Sequence, residues 1–339
     1  MAETANIAEI AKKILNDIFS VFFWELRPIE DTNFDCVLDE HKTESGKDKI
    51  SHPCDVLFHY LDPYLNKTVY LHTDLKSYSK KSLQQKKIRE ALNSLGMTIS
   101  CAHLSESWRK KYPLDDDESY EIRGLLFVAN HDGKALLDFG SQLHKISKNN
   151  LTVTKSQILH VLGPSQISDL FSIATDIKLS IQDKRLSQRY RFFYPDLTLW
   201  KRRVADDVRT AATIECLMSP YFIIKHDAVK NDNGETLLSA GSLIYYSRSG
   251  DTVDEFVYLL DSLLRYQLVK ANEFVRIRTF SREMSANFKS NFDKAKAKYC
   301  KTWGFESTRE EEIRSITIDS IPRMVPNYSP DEIGWKEKK

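Results

Sequence analysis

Apolar residues near the start of the chain recur at spacings of three and four. Ile7, Ile10, Ile14, Ile18, Val21 and Phe22 make one stripe, which predicts a helix over 6–26 that Pro28 ends. Residues 33–38 read as a short strand, and the polar, charged stretch 39–50, with Gly46, as a loop. Two runs with strand periodicity follow, 54–60 and 68–76. They are joined by Asp62-Pro63-Tyr64-Leu65-Asn66-Lys67, a turn that makes them an antiparallel pair. Leu83, Ile88, Ala91, Leu92 and Leu95 then predict a helix over 79–95, stopped by Gly96. A second helix, 100–112, carries Trp108. The acidic run 115–118 is a solvated loop, and the apolar run 122–129 is a buried strand. The first part of the chain therefore reads helix, three strands, two helices, strand.

Residues 133–156 lose this periodicity, and Lys and Asn cluster at 145–150, which places a domain boundary there. Beyond it the pattern predicts a strand at 157–162, a helix at 165–182 and strands near 190–200, 211–225 and 242–248. A helix at 252–268, a strand at 273–280 and a helix at 281–300 complete it. Asp232-Asn233-Gly234 is a turn. The tail after Gly304 is charged and contains Pro322, Pro326 and Pro330. Three segments result: a first α/β domain at 1–145, a second α/β domain at 150–305 and a charged tail at 306–339. The sequence shows no internal repeat.

Composition changes little in this picture. Hydrophobic residues make up 41% and charged residues 29%, the profile of an ordinary globular chain, and the net charge of +1 leaves nucleic-acid binding undecided. No apolar run approaches the ~18 residues of a membrane span, and Glu3, Glu9, Lys12 and Lys13 interrupt any signal-peptide pattern. The five cysteines are dispersed without a CxxC pair, which predicts reduced thiols in a cytoplasm and no zinc knuckle. Two segments are locally basic. Residues 76–111 hold nine Lys/Arg against two acids, and residues 270–301 hold nine against three. The first follows the acid-bearing strand and fits phosphate contact. The second, with Arg276 and Arg278 on one strand face and Lys294, Lys298 and Lys301 at helical spacing, reads mainly as a solvated surface.

The strongest chemical lead is Asp55 on one strand with Asp74 and Lys76 at the end of its partner. Residues i and i+2 of a strand share a face, so Asp74 and Lys76 do, together with His72. Two converging carboxylates can hold Mg²⁺ through hard oxygens, with the Leu75 carbonyl as a third ligand. A neighbouring ammonium can orient the attacking water and offset charge building on a phosphate. Glu25 falls on the apolar stripe of the first helix. It is either a helix end reaching water or a further metal ligand. Gln84, in register with Ile88, Ala91 and Leu95, is expected to face inward and hold the water or a phosphate. Ser77, Tyr78, Lys80 and Lys81 are candidates for contacts to nucleic-acid phosphates. The same acid-x-Lys triplet occurs at Asp132-Gly133-Lys134, Asp176-Ile177-Lys178 and Glu337-Lys338-Lys339, but only Asp74 ends a core strand that follows another acid-bearing strand. His52, His59 and His72 read as surface or supporting groups. Tyr190, Phe192, Phe193 and Tyr194 read as packing rather than as a base-stacking platform. GxSxG, GxGxxG and Walker motifs are absent.

Pro53-Cys54-Asp55, then eighteen residues, then Asp74-Leu75-Lys76, resembles the PD-(D/E)XK nuclease superfamily. The predicted element order over roughly 6–130 is similar to that family's core. The resemblance implies a restriction-endonuclease-like fold, a mixed central sheet flanked by helices, here followed by a second α/β domain. It implies hydrolysis of phosphodiester bonds, most often in DNA, with Mg²⁺ or with Mn²⁺ in its place. Family members carry a Glu on the first helix, matched by Glu25, and a Gln or Lys on the helix after the Asp-x-Lys strand, matched by Gln84, or by Gln85 or Lys80 under a different register. By analogy it implies an anti-phage defence role, as a homo-oligomer or in a complex with a second defence protein. A non-catalytic DNA-binding or regulatory subunit is the alternative.

Overall fold

Alternating side chains along three long strands bury both faces of a sheet. In β4 (Val56–Asp62), β5 (Lys67–Tyr78) and β6 (Tyr120–Asn130), residues Leu57, Tyr70 and Leu126 pack against one helical layer, while Phe58, Leu71 and Phe127 point the opposite way, as a period of two requires. The computed structural model describes residues 2–27, 33–43, 45–53, 55–112, 119–132, 134, 139–146, 151, 153–154, 156–195, 209–280, 284–325 and 328, with side chains from residue 8 onward. Pro28, Cys54, the acidic run 115–118, positions 147–150 and 196–200 and the tail beyond Tyr328 lie outside these residues.

The chain forms two units, 1–171 with 324–339, and 172–323. The first holds α1 (Ala2–Asp17), β1 (Glu25–Leu26), β2 (Phe34–Asp35), β3 (Ser51–His52), β4, β5, α2 (Gln85–Leu104), α3 (Glu106–Lys111), β6, α4 (Phe139–His144) and β7 (Leu159–Leu162). Its sheet runs in the order β1-β4-β5-β6-β7. β4 runs antiparallel to both of its neighbours, β1 and β5, and β5, β6 and β7 are parallel. This is the mixed sheet flanked by helices that the resemblance implies.

Several boundaries move. The first helix ends at Asp17. A 3₁₀ turn covers Phe19–Phe22, and Phe23 adopts the left-handed conformation, φ 62°. The chain turns there because Phe19 and Trp24 stack at 4.4 Å and Phe19 packs edge-on to Phe58 and Phe127. The expected strand 33–38 shrinks to β2, which pairs only with β3 outside the main sheet. Gly96 does not stop a helix. It lies buried inside α2, where a Cβ would meet Val153 at 3.2 Å, and Ser105 makes the break instead by accepting the Trp108 N–H as the N-cap of α3. The strand at 157–162 belongs to the first sheet as β7, so the division falls inside α5 (Pro164–Gln182) rather than at 145–150.

The second unit holds β8 (Tyr190–Phe192), α6 (Ile214–Leu217), β9 (Tyr221–His226), the small hairpin β10 (Val229–Lys230) and β11 (Thr236–Leu238), β12 (Gly241–Tyr246), α7 (Val253–Arg265), β13 (Phe274–Phe280), α8 (Phe288–Trp303), α9 (Ser307–Arg314) and β14 (Thr317–Ile321). Its five-stranded sheet runs β8-β9-β12-β13-β14, antiparallel through β8, β9 and β12, and parallel through β12, β13 and β14. That is the first sheet's sequence of directions over again, with α7 in the place of α2. The repeat, invisible in the residues, lies in the topology. Part of the expected charged tail is in fact structured: α9 precedes β14, which forms the edge of this sheet beside β13, and Tyr328 is buried in the first unit, its hydroxyl donating to Asp17 at 2.9 Å.

Candidate active site

The β4–β5 ladder fixes the site. Its first pair is Val56 opposite Thr73 and its last is Asp62 opposite Lys67, the turn read from the sequence. One step beyond Val56 and Thr73 stand Asp55 and Asp74. Their carboxylates meet in a small depression floored by Pro53, His72 and Thr73 and walled by Ser94, Leu95 and Thr98 of α2. The Leu75 N–H donates to Asp55 Oδ2 at 3.2 Å, and Lys76 Nζ donates to Asp74 Oδ1 at 2.5 Å. Asp55, Asp74, Leu75 and Lys76 are thus brought together.

Their charges act on one another. Burial and the adjacent Asp74 carboxylate push the Asp55 pKa up to about 6. Burial works to lower the Lys76 pKa, but Asp74, by charge and hydrogen bond, and Asp55 outweigh it and hold the pKa above the ordinary value. Lys76 is therefore a cation at neutral pH. His72 is fully buried beside the pair, and burial pushes it down to about 4, so it is a neutral ring. Lys49 also belongs to this neighbourhood. Burial lowers its pKa against the pull of Cys36, Cys101 and Asp74, and its ammonium donates to Ser94 Oγ at 3.4 Å. Neither Lys49 nor the Ser94–Thr98 wall was marked by any motif.

Residues 1–166 match the family model described as the GAPS4 protein PD-(D/E)XK nuclease domain. This part of the chain belongs to the PD-(D/E)XK nuclease superfamily. No curated protein and no solved structure matches the chain. The matched span of the nuclease domain takes in all five strands of the first sheet and ends at the start of α5.

Two expected members of the nuclease site lie elsewhere. Glu25 is on β1, not on a helix. It pairs with His59, its side chain is 77% exposed, and its carboxylate lies 3.8 Å from His59 Nε2. His59 is four positions along β4 from Asp55, ~13 Å at strand rise. Gln84 does not face inward. It precedes α2 in extended conformation, is exposed, and donates to the Lys81 carbonyl at 3.2 Å. Turns through Ser79–Ser82, held by Ser79 Oγ, delay the helix to Gln85. Ser77 is exposed beside His131 at 3.2 Å, and the Tyr78 ring lies 6.0 Å from Lys87 Nζ. Lys80 and Lys81 are exposed in the same turns, and the Lys80 N–H donates to Asp132.

The second unit has the ladder but not the acids. Its β9–β12 pairing ends at Tyr221 opposite Tyr246, and the next positions are Pro220 and Ser247, joined by Ser247 N–H to the Pro220 carbonyl. Arg276 and Arg278 do not form an open basic strip either. Arg278 pairs with buried Asp176 at 2.5 Å, Asp176 also accepts from Tyr245 Oη at 2.8 Å, and Arg276 donates to the Arg185 carbonyl. Tyr190, Phe192 and Tyr194 are buried as packing.

Proposed function

We propose that the chain is a Mg²⁺-dependent nuclease that hydrolyses phosphodiester bonds in DNA, with Asp55, Asp74 and Lys76 as its catalytic set. The observation that carries this reading is the meeting of two carboxylates and one ammonium at the end of β4 and β5, where Asp55 is held in an environment that disfavours its charge. Such a pair fits a divalent cation, which would relieve the repulsion between the carboxylates. Asp55 and Asp74 would hold it. The Leu75 carbonyl joins them, because a strand residue sends its N–H and C=O to the same side, and the Leu75 N–H already faces Asp55. When bound, the ion supplies Lewis-acid polarisation of the scissile phosphate and a more acidic water.

The remaining work falls to the chain. Lys76, charged and fixed by Asp74, orients the attacking water and offsets charge on the phosphate oxygens. In the metal-free chain Asp74 and Asp55 together hold its proton more tightly than usual. Ser77, Tyr78, Lys80 and Lys81, with Lys86 and Lys87, form the neighbouring edge that contacts backbone phosphates. Neither Glu25 nor Gln84 enters this set. The GAPS4 family is associated with defence, which supports a role against invading phage DNA in the cytoplasm, with a second copy or a second defence protein as partner.

The test uses purified full-length protein with linear and supercoiled DNA and with RNA of matching sequence. Mg²⁺-dependent cutting of DNA that EDTA stops is expected. Asp74→Ala and Lys76→Ala should each lose ~100-fold or more in rate while remaining cooperatively folded. Binding of DNA without cutting in either metal, or unchanged cutting by both variants, would overturn the reading. Cutting of RNA alone would correct the substrate.

A further inference from the structure

Four residues outside the catalytic pair converge on one point. Cys36, His41, His52 and Cys101 each bring a sulfur or ring nitrogen within 4.8 Å of the others, and the last three are buried. Cys36 Sγ and Cys101 Sγ are 3.7 Å apart, and His41 Nδ1 lies 3.5 Å from the first and 3.3 Å from the second. A tetrahedral zinc ion with Zn–S about 2.3 Å and Zn–N about 2.0–2.1 Å has S···S edges of about 3.8 Å and S···N edges of about 3.6 Å. We propose that these four side chains form a structural Zn²⁺ site that clips the hairpin Phe34–His52 to α2.

The hydrogen bonds around the cluster are those a zinc site needs. Thr98 Oγ1 donates to the Ser94 carbonyl at 2.9 Å, so at 3.3 Å it can only accept from His52 Nδ1–H. That fixes the tautomer and leaves the lone pair on Nε2, which is buried and, among the described residues, meets no donor. A buried acceptor without a partner is costly, and a cation at the centre of the cluster supplies it. The Val37 N–H points at Cys101 Sγ at 3.4 Å, as backbone donors do toward metal-bound sulfur.

The hairpin also has need of a clip. Its regular pairing is short, Phe34 with His52 and Asp35 with Ser51, and single backbone bonds such as Cys36 N–H to the Ile50 carbonyl and Lys49 N–H to the His41 carbonyl carry the rest. Val37 is 46% and Ile50 84% exposed. Phe34 is buried and Leu38 packs on the core, but with two strand residues per arm the segment gains from a metal that ties distant parts of the chain. Mixed thiolate and imidazole ligands in a closed, buried site select zinc over the hard cation suited to Asp55 and Asp74. On binding, each thiol gives its proton to solvent, two per ion, and no electron moves.

The test begins with full-length protein purified under reducing conditions without chelator. One zinc per chain is expected by elemental analysis. Replacement by Co²⁺ should give tetrahedral ligand-field bands with a thiolate-to-cobalt charge-transfer band, both erased by added Zn²⁺. Cys101→Ser and His52→Asn should lose the zinc, whereas Cys300→Ser and Asp74→Ala should keep it, the latter separating this site from the catalytic pair. The cobalt spectrum of the wild-type chain decides the matter even if a variant fails to fold. Substoichiometric zinc together with no thiolate band, or a Cys36–Cys101 disulfide in freshly isolated protein, would overturn the proposal.

Discussion

Asp55→Asn is expected to stabilise the metal-free protein, although it removes one of the proposed metal ligands. Asp55 is held at about 6 against an ordinary 3.8, by burial first and by the Asp74 carboxylate second. The sign follows from proton linkage. Between those two values the folded chain binds more protons at this group than the unfolded chain does, so stability falls as pH rises through the window and levels off above it. At ~1.4 kcal/mol per pH unit, keeping Asp55 ionised costs the fold about 3 kcal/mol at pH 8. Asparagine removes that cost and can still accept the Leu75 N–H. For a unit of this size, ~2–4 °C per kcal/mol converts the difference to roughly 6–12 °C. Melting curves in EDTA at pH 4, 6 and 8 measure it. The gap between variant and wild type should be near zero at pH 4 and full at pH 8. Added Mg²⁺ should raise the wild type at pH 8 and leave the variant unmoved. A variant that melts at or below the wild type by the same amount at every pH would refute the electrostatic account of the pair.

Glu25→Ala and Gln84→Ala should each leave the cleavage rate within about twofold, since both are exposed surface positions whose removal costs little; a loss comparable to that of Asp74→Ala would place either residue back in the site. In the second unit, Asp176→Ala strands the half-buried Arg278 guanidinium and the buried Tyr245 hydroxyl. A destabilisation of about 1–3 kcal/mol should appear in the transition of residues 172–323, read by hydrogen exchange in β12 and β13, and protection unchanged there would contradict it.

How much of this was legible depends on the range over which each contact is determined. The acid pair was legible because a turn sets a register. Every pair in the β4–β5 ladder has numbers that add to 129, a value fixed by Asp62 and Lys67, and Asp55 with Asp74 satisfies it. Local alternation plus one turn thus placed two carboxylates side by side. Glu25 misled because helical periodicity continues through Val21 and Phe22, while the aromatic stack of Phe19 on Trp24 reverses the chain before Glu25 is reached. Gln84 misled through a helix start displaced by six residues, a matter of side-chain bonds in Ser79–Ser82 that periodicity does not register. Cys36, His41, His52 and Cys101 are separated by four, ten and forty-eight residues, and only the β2–β3 pairing and the docking of α2 gather them, so no spacing rule for zinc reaches them. The repeated sheet topology escaped for a related reason: Pro220 and Ser247 occupy the acid positions, so the motif that identifies the first copy is missing from the second.

Helix α2 ties the two chemistries of the first unit together. Ser94, Thr98 and Cys101 follow at spacings of four and three, one stripe on the helix, spanning about 10 Å at 1.5 Å per residue. The first two wall the pocket of Asp55 and Asp74, Thr98 orients His52, and Cys101 is itself a member of the sulfur and imidazole cluster. The adjoining face of the same helix is locked to the sheet by Ile88, Leu92 and Leu95, and Gly124 of β6 allows that approach, since a Cβ there would sit 2.4 Å from Leu159 and 3.0 Å from Leu95. The helix therefore cannot shift toward the hairpin without opening its contact with the sheet. A metal that fixes Cys36 and Cys101 would hold Lys49, which the hairpin carries, at its bond to Ser94 and so within the field of Asp74. On this geometry, the proposed zinc would set the distance of one more positive charge from the carboxylates, and its loss would act on Asp55 and Asp74 through Lys49 rather than through unfolding of the β4–β5 ladder.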